Sequence, residues 1–283
     1  MSPVWYAAGV GLRRGWTELR QTFTSGQDVF GYVLWTVLLM VPLFLAGDDP
    51  LTGAGISAGA FMLPSMVGMT LAFTGVMTTA QLLATEREDG TLLRAKAVPH
   101  GMVGHLVGKV VMVSGTALVS MALPFVAGVF LVDGVARQGG GALLTLVWVV
   151  PLGLLATLPM GAVIGSLVTS PRTVGLLMLP VMGLVVISGI YFPLSKLPEW
   201  VQIVGQVFPV YWLGLGLRAA LLPAEAVAAE IGESWRYLET AGVLGAWALA
   251  GLLLAPSVLR RMARRESGAA MAERHRKAMQ RVV

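Results

Sequence analysis

Charged residues between two long apolar segments form the strongest candidate for chemistry in this chain. The segment from Ala84 to Pro99 holds six of the 35 charged residues, and both signs are mixed along it. A short helix with mixed charges can dock a soluble partner, whereas a catalytic site needs a nucleophile, a base or a metal-ligating set. Two interpretations stay open from the residues alone: a docking element, or a solvated loop between membrane spans.

The residues of this segment predict a helix that ends and a short helix that follows. Gly90 is the break, Thr91 is placed as the N-cap of the new helix, and Pro99 stops it. Leu92 and Leu93 give the short helix an apolar side. The segment therefore predicts a rigid lever rather than a flexible linker.

Other chemistries find no support in the sequence. The stretch Gly104–Val110 resembles a phosphate loop, but only three residues separate its glycines and Val110 replaces the required Ser or Thr. There is no cysteine, no His-Glu-x-x-His and no Ser–His pair. Only His105 and Lys109 bring ionisable groups into an apolar segment, so ion-coupled transport, voltage gating and intramembrane proteolysis are not expected. Neither a catalytic residue nor a bound cofactor or metal is predicted in this chain.

Composition identifies the elements that must position the charged segment. The 283 residues are 56% hydrophobic and 12% charged, against about 25% charged residues in soluble domains. The mean hydropathy is +0.76. The apolar runs are long and continuous, which excludes a soluble enzyme, a disordered chain and an outer-membrane barrel. The fold class is therefore an all-α polytopic membrane protein.

Six uncharged stretches are long enough to cross a bilayer as helices. They are Val29–Gly47, Ala58–Ala84, Val110–Val132 (starting a turn or two earlier, near His105), Gln138–Pro171, Thr173–Ser195 and Thr240–Leu259. The fourth and fifth are separated by a proline and a charge at Pro171 and Arg172. The glycine pair Gly161 and Gly165 in the fourth stretch allows close helix packing, either within the chain or at a dimer seam.

The placement of Lys and Arg decides between six and seven spans. With six spans and an internal N-terminus, 16 of the 20 basic residues lie on the cytoplasmic side. The uncharged stretch Trp200–Leu217 then forms a re-entrant hairpin, over residues 193–218, between the fifth and sixth spans. Both termini are predicted to be cytoplasmic. The chain divides into residues 1–28, a six-span domain over 29–260 and a basic tail over 261–283.

The N-terminal segment predicts an amphipathic helix on the cytoplasmic interface. Leu12, Trp16, Leu19 and Phe23 recur at helical spacing, while Arg13 lies elsewhere on the wheel. Such a helix serves either as a plain surface anchor or as a contact for a cytoplasmic partner. The basic tail is interpreted as a segment that fixes topology or binds lipid head groups.

Two blocks of residues resemble the type-2 ABC exporter permeases. The first is Glu86-Arg87-Glu88-Asp89-Gly90-Thr91-Leu92, followed by Pro99 and by Gly108-Lys109. It is similar to the cytoplasmic loop of that family. The second block comprises Ser188-Gly189-Ile190-Tyr191-Phe192-Pro193, Leu197-Pro198-Glu199-Trp200, Pro209-Val210-Tyr211-Trp212 and Arg218. Both blocks occur in the family's order among six spans.

The resemblance implies that the charged segment is a coupling loop, over residues 85–102, that docks a separate ATPase. The implied coupling residues are Glu86, Arg87, Glu88, Gly90, Thr91, Leu92, Leu93, Arg94 and Pro99. ATP and Mg would be bound by two copies of an ATP-binding cassette subunit. A second permease, identical or paralogous, would complete the transporter in a bacterial cytoplasmic membrane. Membrane lipids are expected partners, and nucleic acid is not.

A solute path is expected at the permease–permease interface, lined by the second and fifth spans. The candidate path residues are Met66, Met69, Phe73, Thr74, Met77, Met178, Met182 and Ser188. Adaptable Met and aromatic side chains suit amphipathic solutes; the alternative is that these residues only pack helices. Tyr191 and Phe192 are the candidate extracellular gate.

The expected function is the permease subunit of an ATP-driven exporter for hydrophobic or amphipathic small molecules, such as drugs, antibiotics or lipid-like compounds. The direction of transport follows from the resemblance. Three alternatives remain: export of a polysaccharide or lipid-linked glycan on the same scaffold, a passive channel or secondary carrier, and a membrane scaffold without transport.

Overall fold

The structure, a computed structural model, describes residues 3–46, 49–51, 55–135, 140–168, 171–176 and 178–265. Within these ranges the chain is helical and contains no β-strand. The helices are α1 (Pro3–Thr24), α2 (Gly26–Ala46), α3 (Ala58–Glu88), α4 (Thr91–Lys96), α5 (Gly101–Leu131), α6 (Gly140–Leu167), α7 (Pro171–Leu176), α8 (Met178–Val186), α9 (Glu199–Val207), α10 (Pro209–Leu221) and α11 (Tyr237–Arg265). Short 3-10 helices cover Leu194–Lys196, Ala224–Ala229 and Ile231–Glu233.

Helix α3 is the centre of the bundle. It is apolar on all sides over most of its 31 residues, and a helix of that kind is stable only when its whole circumference is covered. Helices α5, α6 and α10 surround it. Its N-terminus is capped by the Ser57 side chain, which accepts a hydrogen bond of 3.1 Å from the Ala60 amide.

Among the described residues, five helices are long and apolar enough to cross a membrane: α2, α3, α5, α6 and α11. They coincide with five of the six predicted spans, and the all-α polytopic fold is confirmed. The chain breaks before Pro171, as predicted. In the region of the predicted fifth span the structure describes α7 and α8, of six and nine residues, and residue 177 between them lies outside the described part of the chain.

Helices α9 and α10 form a bent pair where the uncharged stretch Trp200–Leu217 predicts a hairpin. They meet at an angle of 90°. Phe208 has extended backbone angles and Pro209 occupies the first turn of α10, where a missing N–H is tolerated. The indole of Trp247 donates a hydrogen bond of 2.8 Å to the Val207 carbonyl, which would otherwise lack a partner at the break. Helix α10 continues to Leu221, slightly beyond the predicted limit of the hairpin.

The bundle has two distinct ends. We call the "α4 end" the one where α3 passes through α4 into α5. Helix α1 packs on the first half of α5, and Leu259 of α11 packs near Leu83 and Leu92, so both described termini of the chain lie at this end. The "hairpin end" is the opposite one, where α10 packs against α3 near Gly68.

Glycine allows α6 to approach α3 closely. A Cβ atom at Gly161 would lie 2.4 Å from the Val76 carbonyl oxygen, and one at Gly165 would lie 2.7 Å from that of Ala80. Both distances are shorter than any van der Waals contact. The glycine pair therefore packs within the chain, which favours the first of its two interpretations.

Candidate functional site

The turn between α3 and α4 is held by the backbone conformation of one glycine and by one carboxylate. Gly90 has φ +75°, in the left-handed region that glycine adopts without strain. Asp89 Oδ1 accepts a hydrogen bond of 2.8 Å from the Thr91 amide. The expectation that Thr91 is the N-cap is wrong, because Thr91 is the first helical residue and Asp89 satisfies its N–H instead.

Helix α4 has an inner and an outer face. Leu92 is 2% exposed and packs in a small apolar cluster with Leu83 of α3, with Met102 of α5 and Leu259 of α11 against it. Leu93 is half-buried. On the outer face Arg94 is exposed, and its guanidinium donates a 2.8 Å hydrogen bond to the Thr91 hydroxyl. The helix ends at Lys96, before Pro99, and Pro99 is exposed with its neighbours.

Glu86 lies inside the bundle and is only 4% exposed. His105 Nε2 lies 2.8 Å from Glu86 Oε2, and Lys109 Nζ lies 2.9 Å from Glu86 Oε1. Lys109 also pairs with Glu18 of α1 at 2.8 Å. The network therefore joins α1, α3 and α5. The sequence contained one signal for it: His105 and Lys109 are four residues apart, so they share a face of α5.

Arg87 fastens the same end of α3 to α6. Its Nη1 donates hydrogen bonds of 3.2 Å and 2.7 Å to the carbonyls of Ser166 and Val168. These carbonyls belong to the last turn of α6, where no intrahelical donor remains. A cation at the C-terminus of a helix also interacts favourably with the helix dipole. Glu88, next along the chain, is half-buried.

Helix α1 docks on α5 through two of its glycines and through Leu19 of its apolar stripe, which packs against Gly115. A Cβ at Gly11 would lie 2.2 Å from the Gly104 carbonyl oxygen, and one at Gly15 would lie 2.3 Å from that of Gly108. Gly104 and Gly108 therefore allow α5 to pack closely against α1. Trp16, on the apolar stripe, remains 65% exposed and is available to lipid.

Glu18 completes the contact between α1 and α5. Burial alone would raise the pKa of its carboxyl, but the ion pairs with Lys109 and Arg14 outweigh this effect and lower the pKa below its ordinary value of 4.5. The carboxylate form is therefore the one that the docked helix stabilises.

The candidate path residues on α3 lie in the core of the chain. Met66, Met69 and Met77 are buried. Thr74 is half-buried, and the ring of half-buried Phe73 stacks on Trp35 with centroids 6.1 Å apart.

Met69, Met77 and Phe73 line a cavity of only about 60 Å³ between α3, α6, α8 and α10. A solute would therefore reach these positions only if the helices around α3 moved apart.

The remaining candidate path residues belong to α8 and the turn after it. Met182 is exposed, while Ser188 is buried and donates a 2.6 Å hydrogen bond to the Leu184 carbonyl. The side chain of Met178 lies outside the described part of the structure. The role of all eight residues in a solute path remains a prediction.

The candidate gate residues lie at the hairpin end. Tyr191 is half-buried and Phe192 is exposed. They follow Gly189, whose φ of +65° turns the chain after α8. Their role as a gate remains a prediction.

The hairpin end contains a buried ion pair that the sequence reading missed. Arg218 is entirely buried and its Nε donates to Glu230 Oε1. Its Nη1 donates a 2.7 Å hydrogen bond to the Ser65 hydroxyl, and its guanidinium lies 4.6 Å from the centroid of the Phe61 ring. Arg218 ends an uncharged stretch, but no pattern in the chain singles out Glu230 as its partner.

Comparison with known proteins agrees with this architecture. A sequence model of the ABC-2 family transporter proteins matches residues 48–255, which is most of the chain. The chain belongs to the ABC-2 transporter family. It is therefore the membrane-spanning subunit of an ABC transporter, and an ATP-binding subunit is its expected partner. A search of curated proteins found no match.

The match extends across the features described above. It begins before α3 and ends within α11, so α4, the Glu86, His105 and Lys109 part of the network and the bent pair α9–α10 lie inside it. Helix α1 lies outside the matched range. The resemblance on the two sequence blocks is confirmed at the level of the family.

Proposed function

We propose that this ABC-2 permease exports hydrophobic or amphipathic small molecules from the cytoplasm or the inner leaflet, driven by ATP hydrolysis on a separate subunit that docks on α4. The observation that carries the proposal is the construction of α4. Its outer face presents Arg94 to solvent, while Leu92 on its inner face contacts apolar residues of the bundle. A push on the outer face is therefore transmitted to α3, α5 and α11.

The Glu86 network and Arg87 extend this connection. Glu86 joins α3 to α5 and, through Lys109, to α1. Arg87 joins α3 to the end of α6. Because α4 is rigidly tied to these helices, a movement of the ATPase would shift them together, as in rigid-body switching between two arrangements.

The proposed substrate class is supported by the side chains that face the interior of the helix bundle. The central helix presents methionine and phenylalanine over the candidate path, and such side chains repack around apolar solutes. A hydrated glycan would need a wide lumen with many polar partners, and the cavity at Phe73 measures about 60 Å³. The deeply buried charges, Arg218 and Glu86, are paired with protein groups, so a passive ion channel or secondary carrier is not favoured.

The docking surface is tested by a charge reversal on α4. We expect Arg94→Glu to abolish or strongly reduce co-purification of the ATP-binding subunit from native membranes in mild detergent. Lys196→Glu is the matched control, since Lys196 is exposed at the hairpin end. A permease that purifies with no ATPase, or an Arg94→Glu variant that retains it, would contradict the proposal.

Coupling is tested separately by straining the turn before α4. Gly90→Ala places a Cβ on a left-handed residue, which costs about 1 kcal/mol. We expect ATP-dependent accumulation of an amphiphilic dye in everted vesicles to fall, while the chain remains folded. Gly232→Ala is the control, because Gly232 has φ +68° at the hairpin end with no atom within 4 Å of an added Cβ. Equal transport by the two variants would show that the turn at Gly90 is not part of the coupling path.

A further inference from the structure

A cavity of about 620 Å³ lies directly beneath α4, between α3, α5, α6 and α11. Leu83, Met102 and Leu259 line it, and the same three residues pack around Leu92 of α4. The volume is within the range of about 300–1,000 Å³ that holds small-molecule ligands. The small cavity on the candidate solute path is lined by other residues, so the two are separate.

The cavity opens on the outer surface of the bundle, between α5 and α11. Leu106 and Val110 of α5 and Leu252 of α11 line it, and all three are exposed. Along α5 it extends from Met102 to Val113, a length of about 16 Å at 1.5 Å per helical residue. This length is about half the thickness of the hydrocarbon core. A molecule dissolved in the adjacent leaflet can therefore enter from the side.

The lining of the cavity changes from polar to apolar along its length. Glu86 and His105 line the part near α4. Further from α4 the walls are Val113 and Leu252, with other aliphatic residues of α6 and α11. The hydroxyl of Thr79, also in the lining, already donates a 2.7 Å hydrogen bond within α3. A lining of this kind fits a single alkyl chain whose head group lies toward α4.

One ring nitrogen of His105 lacks a partner. Nε2 lies 2.8 Å from Glu86 Oε2, whereas Nδ1 has no hydrogen-bond partner among the described residues. The side chain is only 3% exposed, and a buried polar atom is nearly always hydrogen-bonded to protein, water or a ligand. Because His105 lines the cavity, a molecule in the cavity can supply the missing partner.

A hydroxyl group suits Nδ1 in every protonation state of the imidazole. Nδ1 accepts a hydrogen bond when the neutral ring carries its proton on Nε2, and it donates one in the other tautomer and in the imidazolium. A hydroxyl both donates and accepts, while an ammonium only donates and an ionised carboxylate only accepts. The inference therefore needs no assignment of the His105 protons.

The charges around the buried part of the cavity are balanced. Glu86 is paired with Lys109, and Glu18 is paired with both Lys109 and Arg14, so two carboxylates face two cations. Lys96 also lines the cavity, but it is exposed and its charge is screened by water and salt. A charged head group would lose its hydration here without meeting an uncompensated opposite charge. An uncharged head group loses much less.

We propose that this cavity binds a single-chain, uncharged lipid whose hydroxyl head group hydrogen-bonds His105 Nδ1 and whose alkyl chain lies against the aliphatic walls. Such an occupant fills the space beneath α4 and contacts the residues that pack around Leu92. The site goes beyond the proposed function, because binding requires only the permease chain and no ATP-binding subunit.

Four probes with the same alkyl chain separate the contributions of the head group. They are dodecanol, dodecane, dodecylamine and dodecanoate, added to the full-length permease in phosphatidylcholine nanodiscs at about pH 8, where the amine is cationic and the carboxylate anionic. Protein-free nanodiscs subtract partitioning into the bilayer. We expect dodecanol to saturate one site. Dodecane should bind about tenfold more weakly, as for loss of one hydrogen bond to a buried group, and both charged probes should also bind more weakly than dodecanol.

Matched variants locate the site, and their thermal midpoints without probe show that they are folded. His105→Gln keeps an amide that can hydrogen-bond Glu86 and removes the second ring nitrogen, so dodecanol binding should fall about tenfold, to the level of dodecane. His100→Asn is its control, because His100 is exposed with φ 55°, which Asn tolerates. Ala162→Phe places a ring in the cavity and should weaken both dodecanol and dodecane. Ala122→Phe, in the separate groove between α2 and α5, should weaken neither.

The outcomes distinguish this inference from the proposed function. No saturable dodecanol binding would show that water satisfies His105 and would overturn the site. Tighter binding of either charged probe, equal binding of dodecane and dodecanol, or unchanged dodecanol binding by both His105→Gln and Ala162→Phe would overturn it as well. Dodecanol binding as expected, in a permease that recruits no ATPase, would leave the site standing and reject the exporter.

Discussion

Both ends of the bundle contain buried ion pairs, and the two are built differently. At the hairpin end Arg218 and Glu230 have side chains only 0% and 1% exposed. At the α4 end the side chain of Lys109 is 17% exposed and that of Glu18 is 22% exposed. Arg218 and Glu230 are only 12 residues apart in the chain. Lys109 of α5, in contrast, pairs with Glu18 of α1 and with Glu86 of α3.

The two ends also differ in how completely the ionisable side chains of their ion-pair clusters are hydrogen-bonded. Arg218 bonds Glu230, Ser65 and the Gly189 carbonyl, and its guanidinium lies against the Phe61 ring. At the α4 end His105 Nδ1 has no hydrogen-bond partner within the described residues, and His105 lines a cavity. The ion pair at the hairpin end is thus fully enclosed by protein, while the ion pairs at the α4 end connect several helices beside an open cavity.

The largest effect is expected from breaking the closed pair. Arg218→Met leaves the Glu230 carboxylate buried without its partner, and such a change costs about 3–5 kcal/mol. We expect a large drop in the thermal midpoint of the detergent-solubilised protein, or loss of expression. Replacing both residues, Arg218→Met with Glu230→Leu, should recover most of the stability, because no charge then remains buried.

Arg236→Met gives the comparison at the same end. Arg236 is partly exposed and pairs with Gln206 and Glu239, so its replacement should lower the midpoint much less. Equal midpoints for Arg218→Met and the unaltered chain would show that the closed pair does not fix the hairpin.

An intermediate effect is expected from separating α1 from α5. Gly11→Val inserts a side chain where a Cβ alone would lie 2.2 Å from the Gly104 oxygen. Overpacking of this kind costs about 1–3 kcal/mol, and we expect α1 to become accessible to protease. Gly9→Val is the control, since nothing lies within 4 Å of a Cβ at Gly9. If both variants are cleaved alike, α1 is not held by its glycine face.

The smallest effect is expected from pH. The pKa of Glu18 is lowered in the folded protein, because its ion pairs with Lys109 and Arg14 outweigh its burial. The carboxylate therefore stabilises docking above its ordinary pKa of 4.5, and this contribution disappears as the pH falls through the lower, folded value.

For a partly exposed ion pair such as Glu18–Lys109, the contribution to the docking of α1 is less than about 1 kcal/mol. Protease accessibility of α1 should rise modestly between pH 5 and 3, as estimated from an ordinary carboxyl titration. In the Glu18→Gln variant the protease accessibility of α1 should be slightly higher at neutral pH and should not change between pH 5 and 3. A steep pH response that persists in Glu18→Gln would assign the effect to another group.

Much of the architecture follows from one-dimensional patterns. The uncharged runs predicted five of the long helices because crossing a membrane requires a stretch of fixed length. Pro171 predicted the break after α6, and the glycine and proline positions around Pro209 predicted the bent pair. For the predicted fifth span the described residues give only α7 and α8, so its full length stays a prediction.

The candidate site was predicted in part. The turn at Gly90 and the helix after it appear where the residues place them, because left-handed glycine and proline act locally. The family resemblance placed Glu86 and Arg94 in one coupling loop. Only the packing of α3 against α5 decides that the Glu86 side chain lies beside His105 and Lys109, and the coupling role of both residues stays a prediction.

The sequence by itself thus determined the fold class, the family and the position of the short helix α4, since these depend on segment length, local backbone preference and a short motif. The tertiary structure alone decided that Arg218 meets Glu230 beside Ser65, and that Glu86 links three helices beside a cavity. Ser65 and Arg218 are 153 residues apart. Their contact depends on how helices pack in three dimensions, which no spacing along the chain encodes.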